Sequence, residues 1–152
     1  MYWLDSIIAT HGYFGLFLAS FLASTIFPFG SEVVVVLLIS KGFNLPYVVL
    51  VASLGNYLGA CTSYYIGMEG RMHIVEKHFK VTESHLRHAN RWIDKYGVWA
   101  LLFTWLPVVG DSLPIVAGIM KIRFWTFSVF VFTGKLVRYA AVALVYVGLI
   151  AF

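Results

Sequence analysis

Charged side chains are scarce in this chain: Asp, Glu, Lys and Arg make up 12% of its 152 residues, while 61% are hydrophobic. An ordinary soluble domain carries about 25% charged and about 45–50% apolar residues. A soluble fold of this composition would leave apolar surface with nothing to cover it, so the sequence reads as an integral membrane protein. Cysteine is nearly absent. Cys61 stands alone, which excludes an internal disulfide framework and a thiolate metal cluster, and it is expected to pack as a small hydrophobe. The start, Met1-Tyr2-Trp3-Leu4-Asp5, lacks the basic region of a secretory signal and no small-residue cleavage site follows, so the N-terminus is expected to be retained. Proline occurs only four times, which makes each position informative.

What charge there is falls unevenly. Six of the eleven Lys and Arg residues lie between Arg71 and Lys95, mixed with Glu69, Glu76, Glu83 and Asp94. This solvated stretch accounts for much of the net charge of +4, and its basic excess points to the cytoplasmic face of a membrane rather than to nucleic acid. Ile74, Phe79, Leu86 and Trp92 within it are expected to face lipid at the headgroup boundary. His73, His78, His85 and His88 lie among the same charged residues, a setting that does not favour a metal site; no metal and no cofactor is expected. The aromatic residues, 18% of the chain, are read mainly as interface anchors.

Four apolar runs cover about 13–39, 46–68, 97–119 and 124–152. A helix needs about 20 apolar residues to cross the hydrocarbon core, and the second and fourth runs meet that length. The first and third are interrupted, by Phe27-Pro28-Phe29-Gly30-Ser31-Glu32 and by Leu106-Pro107-Val108-Val109-Gly110-Asp111 with Pro114 soon after. Pro28, Gly30, Pro107, Gly110 and Pro114 are therefore expected to break the helices. The piece from Phe14 to Phe27 would span about 21 Å and that from Val33 to Ser40 about 12 Å, so each broken run is expected to dip in and return as a re-entrant hairpin.

The landmarks recur at one offset. Pro28 and Pro107, Glu32 and Asp111, Gly55 and Gly134, and Asn56 and Lys135 are each 79 residues apart. The expected fold is all-α and forms one domain over 1–152. Repeat 1 (about 13–68) and repeat 2 (about 96–152) are each a re-entrant hairpin followed by a transmembrane helix, joined by an interfacial linker at 69–95. Re-entrant hairpins place eight basic residues on the loop side against one on the other, which inverts the two repeats and puts both termini outside. Four full spans would instead give six against three, with both termini inside. Matching broken helices in two halves mark the binding site of a transporter.

Glu32, Asp111, Lys135 and Arg138 are ionisable residues inside apolar runs, where each costs about 2.5–3.5 kcal/mol on insertion scales. Glu32 and Asp111 are the candidate proton-coupling carboxylates, although each could instead serve a helix N-terminus structurally. Lys135 and Arg138, three apart and so on one helical face, are the candidate anion-binding pair; Arg138 offers a planar fork for phosphate. Their alternative is a structural ion-pair network with the two acids. Asn56 is a candidate hydrogen-bonding partner at the site.

Phe27-Pro28-Phe29-Gly30-Ser31-Glu32, Gly55-Asn56-Tyr57-Leu58-Gly59, Trp105-Leu106-Pro107 through Ala117-Gly118-Ile119-Met120, and Gly134-Lys135-Leu136-Val137-Arg138 resemble, in order and spacing, the motifs of DedA-family (VTT-domain) membrane proteins. The short YqaA-type branch is the nearest match. The resemblance implies a multi-pass protein of the bacterial inner membrane with two re-entrant loops. It also implies proton-motive-force-dependent movement of an anionic lipid, undecaprenyl phosphate or a phospholipid, so membrane lipids and protons are the expected partners. Ala23-Ser24-Thr25 stand where better-studied members carry an upstream acid, and Thr104 and Gly110 where they carry arginines. A membrane scaffold supporting envelope integrity or cell division, moving nothing, is the alternative function. The sequence shows no nucleophile–base spacing and no Gly-rich phosphate loop, so an enzyme is not expected. One chain of this size makes a thin wall around a site, which leaves room for a homodimer.

Overall fold

The computed structural model describes residues 2–25, 30–70, 83–106 and 109–152. Pro28, Pro107, His73, His78, Ile74 and Phe79 lie outside the described residues. Among these there is helix throughout and no strand: α1 (Tyr2–Thr25), α2 (Ser31–Ser40), α3 (Leu45–Met68), α4 (Glu83–Tyr96), a 3₁₀ segment (Gly97–Trp105), α5 (Val109–Ile119) and α6 (Phe124–Ile150). Two of them, α3 and α6, are long and apolar enough to cross a membrane.

The helix boundaries have local causes. Gly30 precedes α2 at φ +136°, a conformation closed to residues with a side chain, and this glycine marks the expected break. At the start of α3 the Asn44 side chain accepts from the Tyr47 amide (3.4 Å), with Pro46 in the first turn. The ends of α2 and α5 are closed alike. Gly42 (φ +84°) and Lys121 (φ +53°) turn left-handed. The amides of Gly42 and Phe43 bond the carbonyls of Ile39 and Leu38, as those of Lys121 and Ile122 bond Gly118 and Ala117. The two caps are 79 residues apart, and so are the starts of α3 and α6.

Three expectations need correction. The helix of the first arm begins at Tyr2 and not at the apolar boundary near 13; its 24 residues span about 36 Å rather than about 21 Å, so shortness of this arm does not require it to re-enter. The polar residues near its start do not stop the helix, because Gly12 and Tyr13 dock on Phe43 in the α2–α3 turn, the two rings 5.1 Å apart. Pro114 and Gly110 are not breaks either. Both lie within α5, where Pro114 gives up only the bond to the carbonyl of Gly110 in the first turn. Gly110 is a contact residue, since a Cβ there would sit 2.5 Å from the Thr104 carbonyl oxygen. Finally, Leu86 does not face lipid. Leu86, Ala89 and Ile93 are buried, with Trp92 packed beside them, in a core shared with α3, the 3₁₀ segment, α5 and α6. The polar residues of α4 face outward instead.

Glycines set the closest helix approaches. Along α3, Gly55 and Gly59 would place a Cβ 2.5 Å and 2.7 Å from the Phe17 and Phe21 carbonyl oxygens of α1. Where α3 crosses α5, Gly67 meets the Ile115 backbone and Gly118 meets that of Tyr64, so neither position admits a side chain. In the second half, Gly134 of α6 lies against the Leu102 carbonyl, where a Cβ would come within 2.7 Å.

The buried apolar residues form two clusters. One joins α1, α2 and the early parts of α3 with the later part of α6, including Leu16, Val35, Ala52 and Tyr139. The other joins the later part of α3 with α4, α5, the 3₁₀ segment and the early part of α6, including Ala60, Leu101, Ile115 and Val131. Asn56 falls between Ala52 and Ala60 on α3, and Lys135 between Val131 and Tyr139 on α6. A polar layer therefore separates two apolar ones. Aromatic residues are not confined to segment ends: Tyr139, midway along α6, is wholly buried, while nearer the helix ends Tyr64 stacks on buried Phe127 with ring centroids 4.4 Å apart.

Candidate functional site

The polar layer is built from helix termini and the middles of the two long helices. Glu32 and Asp111 occupy the first turns of α2 and α5, where unpaired amides and the helix dipole favour negative charge. Lys135 approaches the opposite kind of end: its Nζ donates to the Thr104 carbonyl (3.0 Å) at the C-terminal turn of the 3₁₀ segment, a position that favours a cation. Asn56, Lys135 and Arg138 sit near the midpoints of α3 and α6.

The four charges meet as two unequal pairs. Arg138 Nη2 donates to Glu32 Oε1 in a direct ion pair whose side chains remain 13% and 25% exposed. Lys135 is wholly enclosed, and its Nζ stands 3.9 Å from Asp111 Oδ1, whose side chain is 19% exposed. That separation exceeds hydrogen-bond length, so the inner pair attracts without being locked. Asp111 and Lys135 each also interact electrostatically with both Glu32 and Arg138. All four therefore belong to one electrostatic unit.

A hydrogen-bonded chain leads inward from Glu32. Ser31 Oγ donates to Glu32 Oε2 (3.3 Å) and stands 2.8 Å from the Tyr139 hydroxyl, which accepts from Asn56 Nδ2 at 3.0 Å. With Asn56 as donor to the phenol, the consistent direction runs Asn56 to Tyr139 to Ser31 to Glu32. Asn56 Nδ2 also donates to the Ser20 carbonyl of α1 (3.2 Å), much as Lys135 donates to Thr104. Asn56 Oδ1 and Thr104 Oγ1 are buried with no hydrogen-bond partner in the structure. Buried polar atoms normally have one, so these two are open acceptors beside the charged pairs.

The described polar candidates from the sequence thus lie in this layer, Glu32, Asp111, Lys135, Arg138 and Asn56, with Gly30 at the start of the helix bearing Glu32, Gly110 next to Asp111, and Pro114 three residues further along the same helix. Tyr139, Ser31 and Thr104 were missed. Tyr139 had a signal, since an aromatic beside an intramembrane arginine and far from either helix end does not fit an interface anchor. Thr104 was marked only as standing where the resembled family carries an arginine, and its contact with Lys135 is made by the backbone, which no residue type signals. Among the described residues no group of three His, Cys, Asp or Glu side chains could hold a metal.

The VTT domain family model matches residues 27–149. Escherichia coli inner membrane protein YqaA is 40% identical over 131 residues, covering 86% of this chain and 87% of that protein. A Haemophilus influenzae protein is 37% identical over 134 residues, covering 83% and 82%. Undecaprenyl phosphate transporter A of Staphylococcus aureus is 24% identical over 138 residues, covering 83% of this chain and 68% of that transporter. No solved structure matches the chain. With the domain model spanning both long helices and all four charged positions, the chain belongs to the VTT-domain, or DedA, family of membrane proteins.

Proposed function

We propose that the protein is a small multi-pass transporter or flippase of the bacterial inner membrane that moves an anionic lipid with proton coupling. Glu32 and Asp111 carry the proton, while Lys135 and Arg138 receive the anionic head group. The chain is one domain over 1–152, with two inverted repeats that are each a re-entrant hairpin and a spanning helix. The matched caps of α2 and α5 and the matched starts of α3 and α6 support the repeat.

The single observation that carries this reading is the convergence of two carboxylates and two cations halfway along the long helices. Asn56 lies 11 residues from the start of α3, or about 16 Å, close to half of a hydrocarbon core of about 30 Å. Charge at that depth is costly, and such residues commonly mark substrate or proton pathways. The unequal pairs give the site two states. An incoming phosphate competes with Glu32 for Arg138, and the displaced carboxylate is the group that carries the proton. The bonds through Ser31 and Tyr139 hold Glu32 in place. Release of the lipid lets the pair re-form and returns the proton. Undecaprenyl phosphate, carried by the Staphylococcus aureus relative by name, and phospholipids share the required anionic head.

The test is movement of a fluorescent anionic lipid across reconstituted vesicles under an imposed pH gradient. Glu32→Gln, Asp111→Asn and Arg138→Ala should each lower the initial rate at least tenfold, with each variant retaining the wild-type elution volume. Unchanged movement by all three would remove the transport reading and favour the scaffold. Tags at both termini should be accessible from outside; tags reachable only from the cytoplasm would replace the re-entrant arrangement with four full spans.

A further inference from the structure

An open apolar groove of about 380 Å³ lies between α2 and the later part of α6, lined by Val36, Ala141, Val142, Val145, Tyr146 and Leu149. Val36 is one helical turn beyond Glu32, and Val142, Val145 and Leu149 follow Arg138 at spacings of four, seven and eleven, along the same side of α6. The half-open Glu32–Arg138 pair, which bridges the same two helices, therefore lies one helical turn inward of Val36 and Val142. The α6 lining from Ala141 to Leu149 runs about 12 Å, and Arg138 lies about 16 Å along the helix from Leu149, about the depth of one leaflet.

We infer that this groove holds the hydrocarbon tail of the transported anionic lipid while its head is at Arg138, so that the tail points from the midplane toward the C-terminal end of α6. The inference rests on the proposed role of Arg138 as the head-group cation. Charge and shape select this occupant. The lining carries no charge, and the ion pair one turn inward of it presents a guanidinium, of which Glu32 engages Nη2. A guanidinium carries five N–H donors, so that pairing does not exhaust its capacity for phosphate. An occupant that matches both ends is apolar along its length and anionic at its inner end. A lipid of the surrounding bilayer has the reverse orientation, with its head at the surface and its chain terminus at the midplane. The leaflet on the side of the C-terminus is consequently the one that keeps the tail during transfer.

The orientation makes a sharp test. Wild-type protein in phosphatidylcholine nanodiscs is loaded with phosphatidylglycerol bearing a diazirine either near the carbonyl or at the chain terminus, irradiated, and mapped by mass spectrometry. The head-proximal probe should label Val36 and Val142, and the terminal probe Val145 and Leu149, at least fivefold above the same probes on phosphatidylcholine. Val145→Trp, at an exposed lining position, should reduce labelling at least fivefold; Leu144→Trp, equally exposed and outside the groove, should not. Arg138→Ala should erase the preference for phosphatidylglycerol. Reversed labelling order, equal labelling of the two lipids, or a change of oligomeric state by Val145→Trp would each overturn the groove assignment, the last by showing that a second copy covers it. If any of these accompanies loss of transport in Arg138→Ala, the groove is wrong and the transport reading stands. If Arg138→Ala alone transports normally, the head-group role of Arg138 falls and the groove assignment with it, while the transport reading is decided by Glu32→Gln and Asp111→Asn.

Discussion

The inner ion pair can be weighed by a thermodynamic cycle of Asp111→Asn and Lys135→Met. At 3.9 Å and an effective dielectric constant of about 20, two unit charges attract by about 4 kcal/mol. Removing one partner leaves the other enclosed and unpaired, a change that costs about 3–5 kcal/mol in buried pairs. Asp111→Asn should therefore destabilise by about 3 kcal/mol. Lys135→Met should cost about 4 kcal/mol, because it also forfeits the charged hydrogen bond to the Thr104 carbonyl. Removing both charges removes the desolvation penalty with them, so the double variant should cost only about 3 kcal/mol, a coupling of about 4 kcal/mol. Equilibrium unfolding in mixed micelles of increasing dodecyl sulfate measures all four corners. The parallel cycle of Glu32→Gln and Arg138→Ala should give a smaller coupling, about 1–2 kcal/mol, because that pair is partly exposed and screened. Additive effects in the Asp111–Lys135 cycle, with a coupling under about 0.5 kcal/mol, are what sites that do not touch produce. That outcome would refute the unit described above.

Other substitutions probe the scaffold around the charges. Gly118→Ala gains about 1 kcal/mol of helix propensity but drives a methyl into the Tyr64 backbone; overpacking of about 3 kcal/mol should win, for a net loss of about 2 kcal/mol in the same unfolding assay. Gly15→Ala, which meets nothing within 4 Å, should instead gain up to about 1 kcal/mol, so equal signs for the two would contradict the α3–α5 crossing. Tyr139→Phe deletes a hydroxyl shared by Ser31 and Asn56 and should cost about 1–2 kcal/mol, with no loss expected if those bonds are not formed in solution. Leu86→Ala should cost about 2–3 kcal/mol because the side chain lies in the core, whereas a lipid-facing leucine would be close to neutral.

Much of this protein follows from periodicity and scarcity along the chain. The lengths of α3 and α6 were visible as unbroken apolar runs, since a span must satisfy every backbone group internally and cover about 30 Å. The five candidate polar positions were visible because charge and amide groups in such runs are costly enough to need a reason. Gly30 showed as a break because glycine alone tolerates the left-handed turn it makes. Pro114 and Gly110 misled for a related reason. Their residue types permit a break without requiring one, and packing on the 3₁₀ segment and α3 decided for helix.

Tertiary structure decided which cation met which acid. Spacing put Lys135 and Arg138 on one face but could not assign Arg138 to Glu32 and Lys135 to Asp111, because pairing depends on where α2 and α5 enter. It also decided that Tyr139 and a backbone carbonyl at Thr104 belong to the polar layer; a main-chain oxygen carries no residue-specific signal. The same holds for α4, whose apolar stripe is evident in the sequence while the surface covering it is not, protein core or lipid being equally apolar partners. Local chemistry, in short, set what each segment could be. The close approach of distant backbones, permitted at glycines 55, 59, 67, 118 and 134, set what each segment touches, because a contact is a property of two surfaces and a sequence position describes only one.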